Sequence, residues 1–473
     1  MAPTSTRKHH VPDPVSSLPN LPPALAVGAL YDSFLQAALR QFFARATFET
    51  EPMLSASSDG RLAIEPTDDP SVMYVRWFGT RYGLRVPERR PFTAHEIRMA
   101  RAIGSVLAAR YHAILNPKAM VERGELFRGA IEDRYAGVFT DGHPYPIGAG
   151  ASRADRIASA IEVLRVAALS SYENRAISSG VLIMGPEGDV RTNRPARSEG
   201  LDYSQSLTGV KSFFRLVDGL RTLFLTTHDG RLLDIVDVRR WSEDLCGEDP
   251  LPAPVPSVYE AHARATLRGR HVCVVLSPSH EIKVFAEGAE VLAFRHAHWH
   301  LLDGQAKFQL WADAVGQRPL ATRLFQTALE LANARQGALF VVLREPAAAI
   351  AHLVSNADRV DVGRSGEGHK PSGLPTRRDL LDLLTGRAVT DLEPSVLAAL
   401  ASLDGATVTD TRGALVAAGA ILRSVGSDAS EDAVIVEGAR TTAALTASRY
   451  GPVLKVSEDG AITFYDGLRV WDL

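Results

Sequence analysis

The sequence predicts a mixed α/β protein of more than one domain. At 473 residues the chain is too long for a single ordinary hydrophobic core. Segments with helical spacing of apolar residues, such as Ala26 to Phe48, stand beside short strand-like segments, such as Val181 to Met184. Hydrophobic residues make up 45% and charged residues 23%, which is typical of globular domains. These observations favour an α+β, multidomain architecture.

The first part of the chain combines a tail with helices. Residues 1–24 are rich in Pro and Ser, so we expect a disordered tail. Helical spacing predicts helices over Ala26 to Phe48 and Ile97 to Leu115, with a strand at Val72 to Phe78 between them. The helical-mixed part extends to about residue 170.

A strand-rich part follows, over about residues 175–305. Short apolar segments lie close together there, separated by turn residues such as Asp229-Gly230 and by the Pro-rich stretch from Pro250 to Pro256. The predicted strands are Val181 to Met184, Leu223 to Leu225, Leu232 to Val238, Val272 to Leu276, Ile282 to Phe285 and Glu290 to Arg295. Such a series suits a small barrel or sandwich. Because they precede another domain, residues 25–318 are interpreted as a sensor or regulatory region.

A third region spans residues 319–473. An amphipathic helix ends near Gly337, and Ala338 to Leu343 reads as a buried strand. Gly363 to Gly373, with Arg364, His369 and Lys370, reads as a loop before a helix that begins at a capping box of Thr376 and Asp379. Another helix is predicted from Pro394 to Leu403. Strands and one small helix complete a mixed α/β domain.

Charge and hydropathy restrict the partners. The net charge of −3 gives no overall reason to expect nucleic acid or an anionic membrane as a partner. No run of 18 apolar residues and no signal peptide is found, so we expect a cytoplasmic protein that does not enter a membrane. Cys246 and Cys273 are expected to be reduced.

Three motifs in the last 70 or so residues carry the chemistry. The first, Leu403 to Ala406, places an aspartate at the entrance of a strand, where Gly and Ala leave room for a ligand. The Asp404 carboxylate is a suitable ligand for Mg²⁺ or Mn²⁺. Alone, this Asp-Gly pair more often marks a simple turn.

The second motif, Glu437 to Leu445, is a Gly-led segment that enters a short helix. Backbone N–H groups, the helix dipole and the Arg440 guanidinium would converge there on an anion. The alternative is a Thr-capped helix with a solvated Arg. The third motif, Val456 to Gly460, is a turn after a strand from which Ser457 and Glu458 could reach a ligand, although such residues are commonly plain hairpin residues.

Together the three motifs resemble the diadenylate cyclase domain of DisA-type DNA-integrity scanning proteins and their relatives. The family has Asp-Gly-Ala, then Gly-Thr-Arg-His-Arg-Ala-Ala, then a strand ending in Val-Ser-Glu. Asp404 to Ala406 matches the first motif, Gly438 to Ala444 matches the second in part, and Val456 to Glu458 matches the third. Gly337 to Val342 is similar to the family's opening strand. The resemblance covers about the last third of the chain.

The resemblance implies an α/β domain with a central mixed sheet that joins two ATP molecules into cyclic di-AMP. Two such domains would face each other in a homo-oligomer, each holding one ATP and Mg²⁺ or Mn²⁺. The catalytic residues would be Asp404, Arg440 and Thr441. The nucleotide would contact Gly405, Ala406, Leu422, Gly438, Ala439, Thr442 and Ser457. The metal would be held by Asp404 and Glu458.

The second motif departs from the family. Thr441 stands for the family's His, Thr442 for its second Arg, and Ala439 for the Thr before the first Arg. Each lost donor to a developing charge costs about 2.7–4 kcal/mol, or roughly 10² to 10³ in rate. The sequence therefore supports two hypotheses, a diadenylate cyclase and a catalytically impaired domain that senses nucleotide.

One further cluster suggests a different class of function. His296, His298 and His300 alternate, so on a strand they would share one face and could bind Zn²⁺ or Cu²⁺. The neighbouring Phe294 and Trp299 favour an ordinary packed strand instead. A metal-binding protein is the third, weaker hypothesis. The sequence contains no Walker-type phosphate loop, Gly-x-Ser-x-Gly elbow or Cys-pair zinc motif.

Overall fold

The computed structural model confirms a mixed α/β protein with three main sheets. It describes residues 23–473 except 44–45, 53–61, 66, 87–89, 148–149, 173–174, 187–200, 211, 248, 361–380 and 424–437. Residues 1–22 of the predicted tail, the Gly363 to Gly373 loop and the Thr376–Asp379 capping box lie outside the described residues, and residues 23–24 belong to a helix. Short 3₁₀ turns occur at Gly124–Phe127, Gln205–Gly209, Ser257–Tyr259, Asn356–Asp358, Asp382–Leu384 and Val389–Asp391.

The first part contains a four-stranded antiparallel sheet beside a group of helices. Its strands are β1 (Thr47–Pro52), β2 (Ala63–Glu65), β3 (Val72–Trp77) and β4 (Thr80–Arg85), in the order β1-β4-β3-β2. The helices are α1 (Pro23–Phe42), α2 (Ala94–Leu115), α3 (Pro117–Glu122), α4 (Ile131–Asp141) and α5 (Arg153–Ala168). Helix α2 begins earlier than the apolar spacing predicts because Thr93 and Glu96 form a capping box that adds a turn.

The strand-rich part forms one seven-stranded mixed sheet in the order β13-β12-β11-β10-β7-β8-β9. Its strands are β7 (Ser179–Ile183), β8 (Thr222–Thr226), β9 (Leu232–Asp237), β10 (Val272–Leu276), β11 (Ile282–Ala286), β12 (Ala289–Arg295) and β13 (His298–Leu301). Near them lie α6 (Phe213–Leu216), α7 (Val238–Cys246), α8 (Glu260–Thr266) and a small ribbon of β5 (Ser171–Tyr172) and β6 (Arg175–Ala176).

This sheet corrects the expected barrel or sandwich. Within the described residues β13 and β9 are the two edges of an open sheet. Alternate residues of its central strands face opposite ways, so Val274 packs with the cluster that includes α5, and Cys273 packs with the cluster that includes α8. Helices thus bury both faces, and barrel closure is not needed to build a core. The two cysteines are buried and free, as expected.

The C-terminal part is a six-stranded mixed sheet in the order β16-β15-β14-β17-β18-β19. Its strands are β14 (Ala338–Leu343), β15 (Ala406–Asp410), β16 (Leu415–Ala420), β17 (Val453–Val456), β18 (Ile462–Asp466) and β19 (Leu468–Asp472). Its helices are α9 (Gly304–Val315), α10 (Arg318–Asn333), α11 (Pro346–Leu353), α12 (Pro394–Ala401) and α13 (Ala439–Ala447). Strands β14 and β15 run parallel, and the other neighbours run antiparallel.

Helices also cover both faces of this sheet. Phe340 and Leu454 face a cluster with α9, α10 and α12, whereas Leu339 and Val341 face a cluster with α11 and α13. Helix α9 contributes Phe308, Trp311, Ala312 and Val315 to the first of these clusters. The expected domain boundary after residue 318 coincides with the first residue of α10, and α9 before it packs in the same cluster. No described helix has the length and apolar character needed to cross a membrane.

Candidate functional site

Strand pairing brings the three motifs to the same end of the C-terminal sheet. Ala338, the first residue of β14, pairs with Val456, the last residue of β17. On its other side β14 pairs in parallel with β15, with Phe340 beside Thr407. Three residues before this pair along the two parallel strands come Gly337 and Asp404, which the register therefore places side by side. The beginnings of β14 and β15 and the end of β17 are thus neighbours, and adjacent strands are about 4.8 Å apart.

Arg440 crosses this end of the sheet. Helix α13 begins after Gly438, whose φ of +92° favours glycine, and Arg440 lies in the first turn of the helix. A Cβ placed on Gly337 would lie 2.7 Å from Cζ of Arg440, so the guanidinium rests directly over that glycine. The absence of a side chain at Gly337 is what allows the guanidinium to approach the strand. The sequence indicated Gly337 as a helix end and as the start of the segment similar to the family's opening strand, but not as a contact of Arg440.

A carboxylate from the third motif holds the guanidinium. Nη1 of Arg440 donates a hydrogen bond of 2.8 Å to Oε1 of Glu458. The Arg440 side chain is 40% exposed and that of Glu458 is 71% exposed. Exposed ion pairs of this kind contribute roughly 0–1 kcal/mol, so a phosphate can replace or share this partner at little cost. Arginine has five N–H donors, which leaves donors for an anion beside the carboxylate.

A lysine absent from the sequence prediction joins the same helix turn. Nζ of Lys455, on β17, donates a hydrogen bond of 3.0 Å to Oγ1 of Thr441. Burial lowers the pKa of Lys455, and the nearby Arg469 lowers it further. A cation partly removed from water interacts strongly with an anion. In the sequence, the only indication of this role is that a lysine stands within an otherwise apolar strand. That indication is weak by itself.

The first motif lies at the mouth of β15. Asp404 is exposed, in the bend between α12 and β15. Gly405 has a φ of +116°, and a Cβ there would lie 2.6 Å from the carbonyl oxygen of Ala420, so this position requires glycine for packing against β16. Ala406 is 1% exposed within the core beneath α13, and Leu422 packs against that core. Of these four residues, Asp404 presents its side chain to solvent most openly.

The remaining predicted residues lie around the start of α13 and the β17–β18 turn. Gly438 and Ala439 are exposed, and the carbonyl of Gly438 accepts hydrogen bonds from the backbone N–H groups of Thr441 and Thr442 at 3.1 and 3.3 Å. The backbone of Ser457 closes the turn by donating to Ala461 at 2.8 Å. Both segments border the Arg440–Glu458 pair.

The carboxylates at this end of the sheet suit a metal ion that binds together with the phosphates of a nucleotide. The two predicted metal ligands lie beside the strands on either side of β14, Asp404 in the bend before β15 and Glu458 in the turn after β17. Among the described residues no group of three or more His, Cys, Asp or Glu side chains forms a preassembled metal site. Mg²⁺ commonly binds through one or two carboxylates together with substrate phosphates and waters. Two carboxylates flanking a cationic helix start fit that mode.

The three alternating histidines do not all lie on one strand. His296 and Ala297 have φ values of +51° and +64° and form the turn between β12 and β13, whereas His298 and His300 lie on β13. The predicted alternation along one strand is therefore wrong. No metal-binding cluster includes them among the residues that the structure describes.

Two solved structures are similar to part of the chain. No family model matches the chain, and no curated protein matches it. A hypothetical membrane spanning protein from Bacillus cereus, known from its crystal structure, matches with 19% identity over 32% of this chain and 61% of its own, at a TM-score of 0.21. A double mutant of DacA from Staphylococcus aureus matches with 20% identity over 32% of this chain and 83% of its own, at a TM-score of 0.18. These are weak and partial similarities, with TM-scores below 0.5.

Proposed function

We propose that the C-terminal domain binds ATP and condenses two ATP molecules into cyclic di-AMP, under the control of the N-terminal region. The observation that carries the proposal is the convergence of the three family-like motifs, with the Arg440 guanidinium over Gly337, paired to Glu458, at the sheet end where Asp404 lies. A carboxylate, a guanidinium and a helix start at one edge form a suitable site for a triphosphate with its metal.

The proposed reaction follows from that arrangement. The 3′-oxygen of one ATP attacks the α-phosphorus of a second ATP, the bond to the β-phosphate oxygen breaks, and pyrophosphate leaves. A second, reciprocal attack closes the ring, so two facing domains are needed. Arg440 and the N–H groups at the start of α13 would hold the phosphates and neutralise charge that develops on them. Asp404 would accept the proton of the attacking hydroxyl or bind the Mg²⁺ or Mn²⁺ that accompanies ATP.

A nucleotide sensor without turnover is the second candidate, and Thr441 favours it. Its hydroxyl is engaged by Lys455, and it replaces the His of the related family. Two or three missing donors would lower the rate by several orders of magnitude while leaving binding largely intact, because each contributes about 2.7–4 kcal/mol to the transition state. Lys455 offsets part of the lost positive charge.

The test uses the full chain with ATP and either Mn²⁺ or Mg²⁺, with products separated by chromatography and identified by mass. We expect cyclic di-AMP and pyrophosphate from the wild type, and none from Arg440→Ala. Arg449→Ala is the matched control, since Arg449 is exposed just after the C-terminal end of the same helix. The double variant Thr441→His/Thr442→Arg should increase turnover by tenfold or more.

The outcomes separate the two candidates. Formation of the dinucleotide supports the cyclase. Saturable ATP binding without product in the wild type, with product restored in the double variant, supports the sensor. Absence of both binding and turnover under all metal conditions contradicts the proposal in either form.

A further inference from the structure

A large cavity lies between the N-terminal region and the C-terminal sheet, and Lys455 and Ser457 of the third motif and its strand border one part of it. Its larger part, here called the aromatic chamber, has a volume of about 800 Å³ and is bordered by α1, β13 and β19. Phe42, Phe43, Trp299 and Trp471 line it, together with charged residues such as Arg40, Arg90, Glu96 and Glu132. Binding sites for small organic molecules are commonly apolar, aromatic and of about 300–1,000 Å³. The chamber therefore has the size and lining of a ligand site.

A second, charged part adjoins it. This cationic chamber has a volume of about 340 Å³ and is lined by Arg295, Lys307, Lys455 and Arg469. His300, Leu301, Lys307 and Asp472 line both chambers, so the two are neighbours that share one wall. The cavity thus joins an aromatic compartment to a basic one.

The walls contain buried polar atoms that lack partners. Among the described residues, Nε1 of Trp471 and Nε2 of His300 are buried and have no hydrogen-bond partner. Trp471 is only 2% exposed. An unsatisfied buried polar group costs about 1–3 kcal/mol. Trp471 lines the aromatic chamber, so a ligand acceptor that reached its N–H group on binding would recover that energy.

The charge of the cationic chamber favours an anion. Its lining has four cationic side chains but only two acidic ones, Asp459 and Asp472. Arg469 forms an ion pair with Asp472. Burial lowers the pKa of the Lys307 ammonium to about 8; the nearby Asp303 and Glu96 oppose this shift, and Arg90 and Arg295 add to it. An anionic group beside Lys307 would stabilise its charged form.

We propose that this cavity binds a small organic phosphate, with a planar ring in the aromatic chamber and the phosphate in the cationic chamber. The surplus of two positive side chains matches a dianion, and the aromatic walls match a flat ring. Because the N-terminal region and the C-terminal sheet each supply one wall, the ligand would bridge them. This inference does not depend on the proposed cyclase activity.

The probe is phenyl phosphate, which combines a flat ring with a phosphate and lacks adenine. Calorimetric titration of the full chain should give saturable binding at least tenfold tighter than that of inorganic phosphate or phenol. Affinity should fall as the pH rises from 7 to 9.5, because Lys307 loses its proton through a pKa of about 8. Equal affinity for phenyl phosphate and inorganic phosphate would contradict the role of the aromatic chamber.

Variants identify where the probe binds. Lys307→Met should weaken binding at least tenfold, and Trp471→Phe, which keeps the ring but removes the N–H donor, should weaken it three- to tenfold. Lys118→Met is the matched control, because that side chain is 83% exposed on α3. If Lys307→Met does not fold, Arg469→Gln at the partly exposed rim replaces it and should weaken binding at least threefold.

Arg440→Ala separates this inference from the proposed nucleotide site. It should leave phenyl phosphate binding unchanged even where it removes ATP binding. Loss of the probe in Arg440→Ala, together with normal affinity in Lys307→Met or its replacement variant, would place the ligand in the other site and overturn the proposal. Absence of saturable binding at any pH between 7 and 8 would overturn it as well.

Discussion

Gly337→Ala tests the role of Arg440 without removing the arginine. The new Cβ would lie 2.7 Å from Cζ of Arg440 and would displace the guanidinium from its position over β14. The displaced atoms are the far end of a flexible side chain, so the fold can accommodate the methyl group. We therefore expect a protein of normal stability with a misplaced arginine.

The magnitude follows from the contacts of the guanidinium. Hydrogen bonds to charged groups contribute about 1.5–3 kcal/mol, so loss of one phosphate contact should weaken ATP binding roughly 10- to 150-fold. The free energy of unfolding should change by less than about 1 kcal/mol, since Gly→Ala at a compatible backbone conformation is neutral or slightly stabilising. The exposed pair with Glu458 adds little to either quantity.

A double-mutant cycle measures this effect. ATP affinity is determined by calorimetry for the wild type, Gly337→Ala, Arg440→Ala and the double variant, with urea unfolding as the stability check. Gly209→Ala is the control, because a Cβ there would meet no atom within 4 Å. In the Arg440→Ala background, Gly337→Ala should have no further effect. Additive losses would refute the idea that the glycine acts by positioning the arginine.

Three further predictions concern the site and the fold. Asp404→Asn should abolish metal-dependent turnover but leave metal-free ATP binding within about threefold of the wild type, as measured by product analysis and calorimetry. Gly405→Ala should destabilise the protein by more than about 1 kcal/mol in urea unfolding, because its φ is +116° and a Cβ would meet a backbone carbonyl. Burial opposes protonation of His95, but its contacts at 3.2 Å with Asp303 and at 3.8 Å with Glu287 raise its pKa above 6.5 overall. The protonated His95 therefore stabilises the folded protein. This stabilisation is complete below the ordinary histidine pKa and is lost as the pH rises through the raised pKa of His95. Between about pH 6 and 8 the melting temperature of the wild type should therefore fall more than that of His95→Gln.

Local sequence signals predicted many of the elements. Apolar spacing indicated a helix over Ile97 to Leu115, and the structure has α2 at Ala94–Leu115. The buried strand Ala338 to Leu343 occurs as predicted. These segments were predictable because periodicity and capping residues act over a few neighbouring positions.

Properties that depend on distant contacts were not predictable. The motif spacing could not show that β14 lies between β15 and β17, because strand order is set by packing of the whole domain. The positive φ values at His296 and Ala297 convert a predicted strand residue into a turn residue. The contacts of Gly337 with Arg440 and of Lys455 with Thr441 join residues far apart in the chain. No local pattern marks any of these pairs.

The central claim is that the guanidinium at the start of α13 binds the phosphates of ATP. The most direct test is calorimetric titration of ATP into the full chain carrying Arg440→Ala or Arg449→Ala, each compared with the wild type. We predict a loss of at least tenfold in affinity for the first variant and no measurable change for the second. Equal affinities in both variants would contradict the claim.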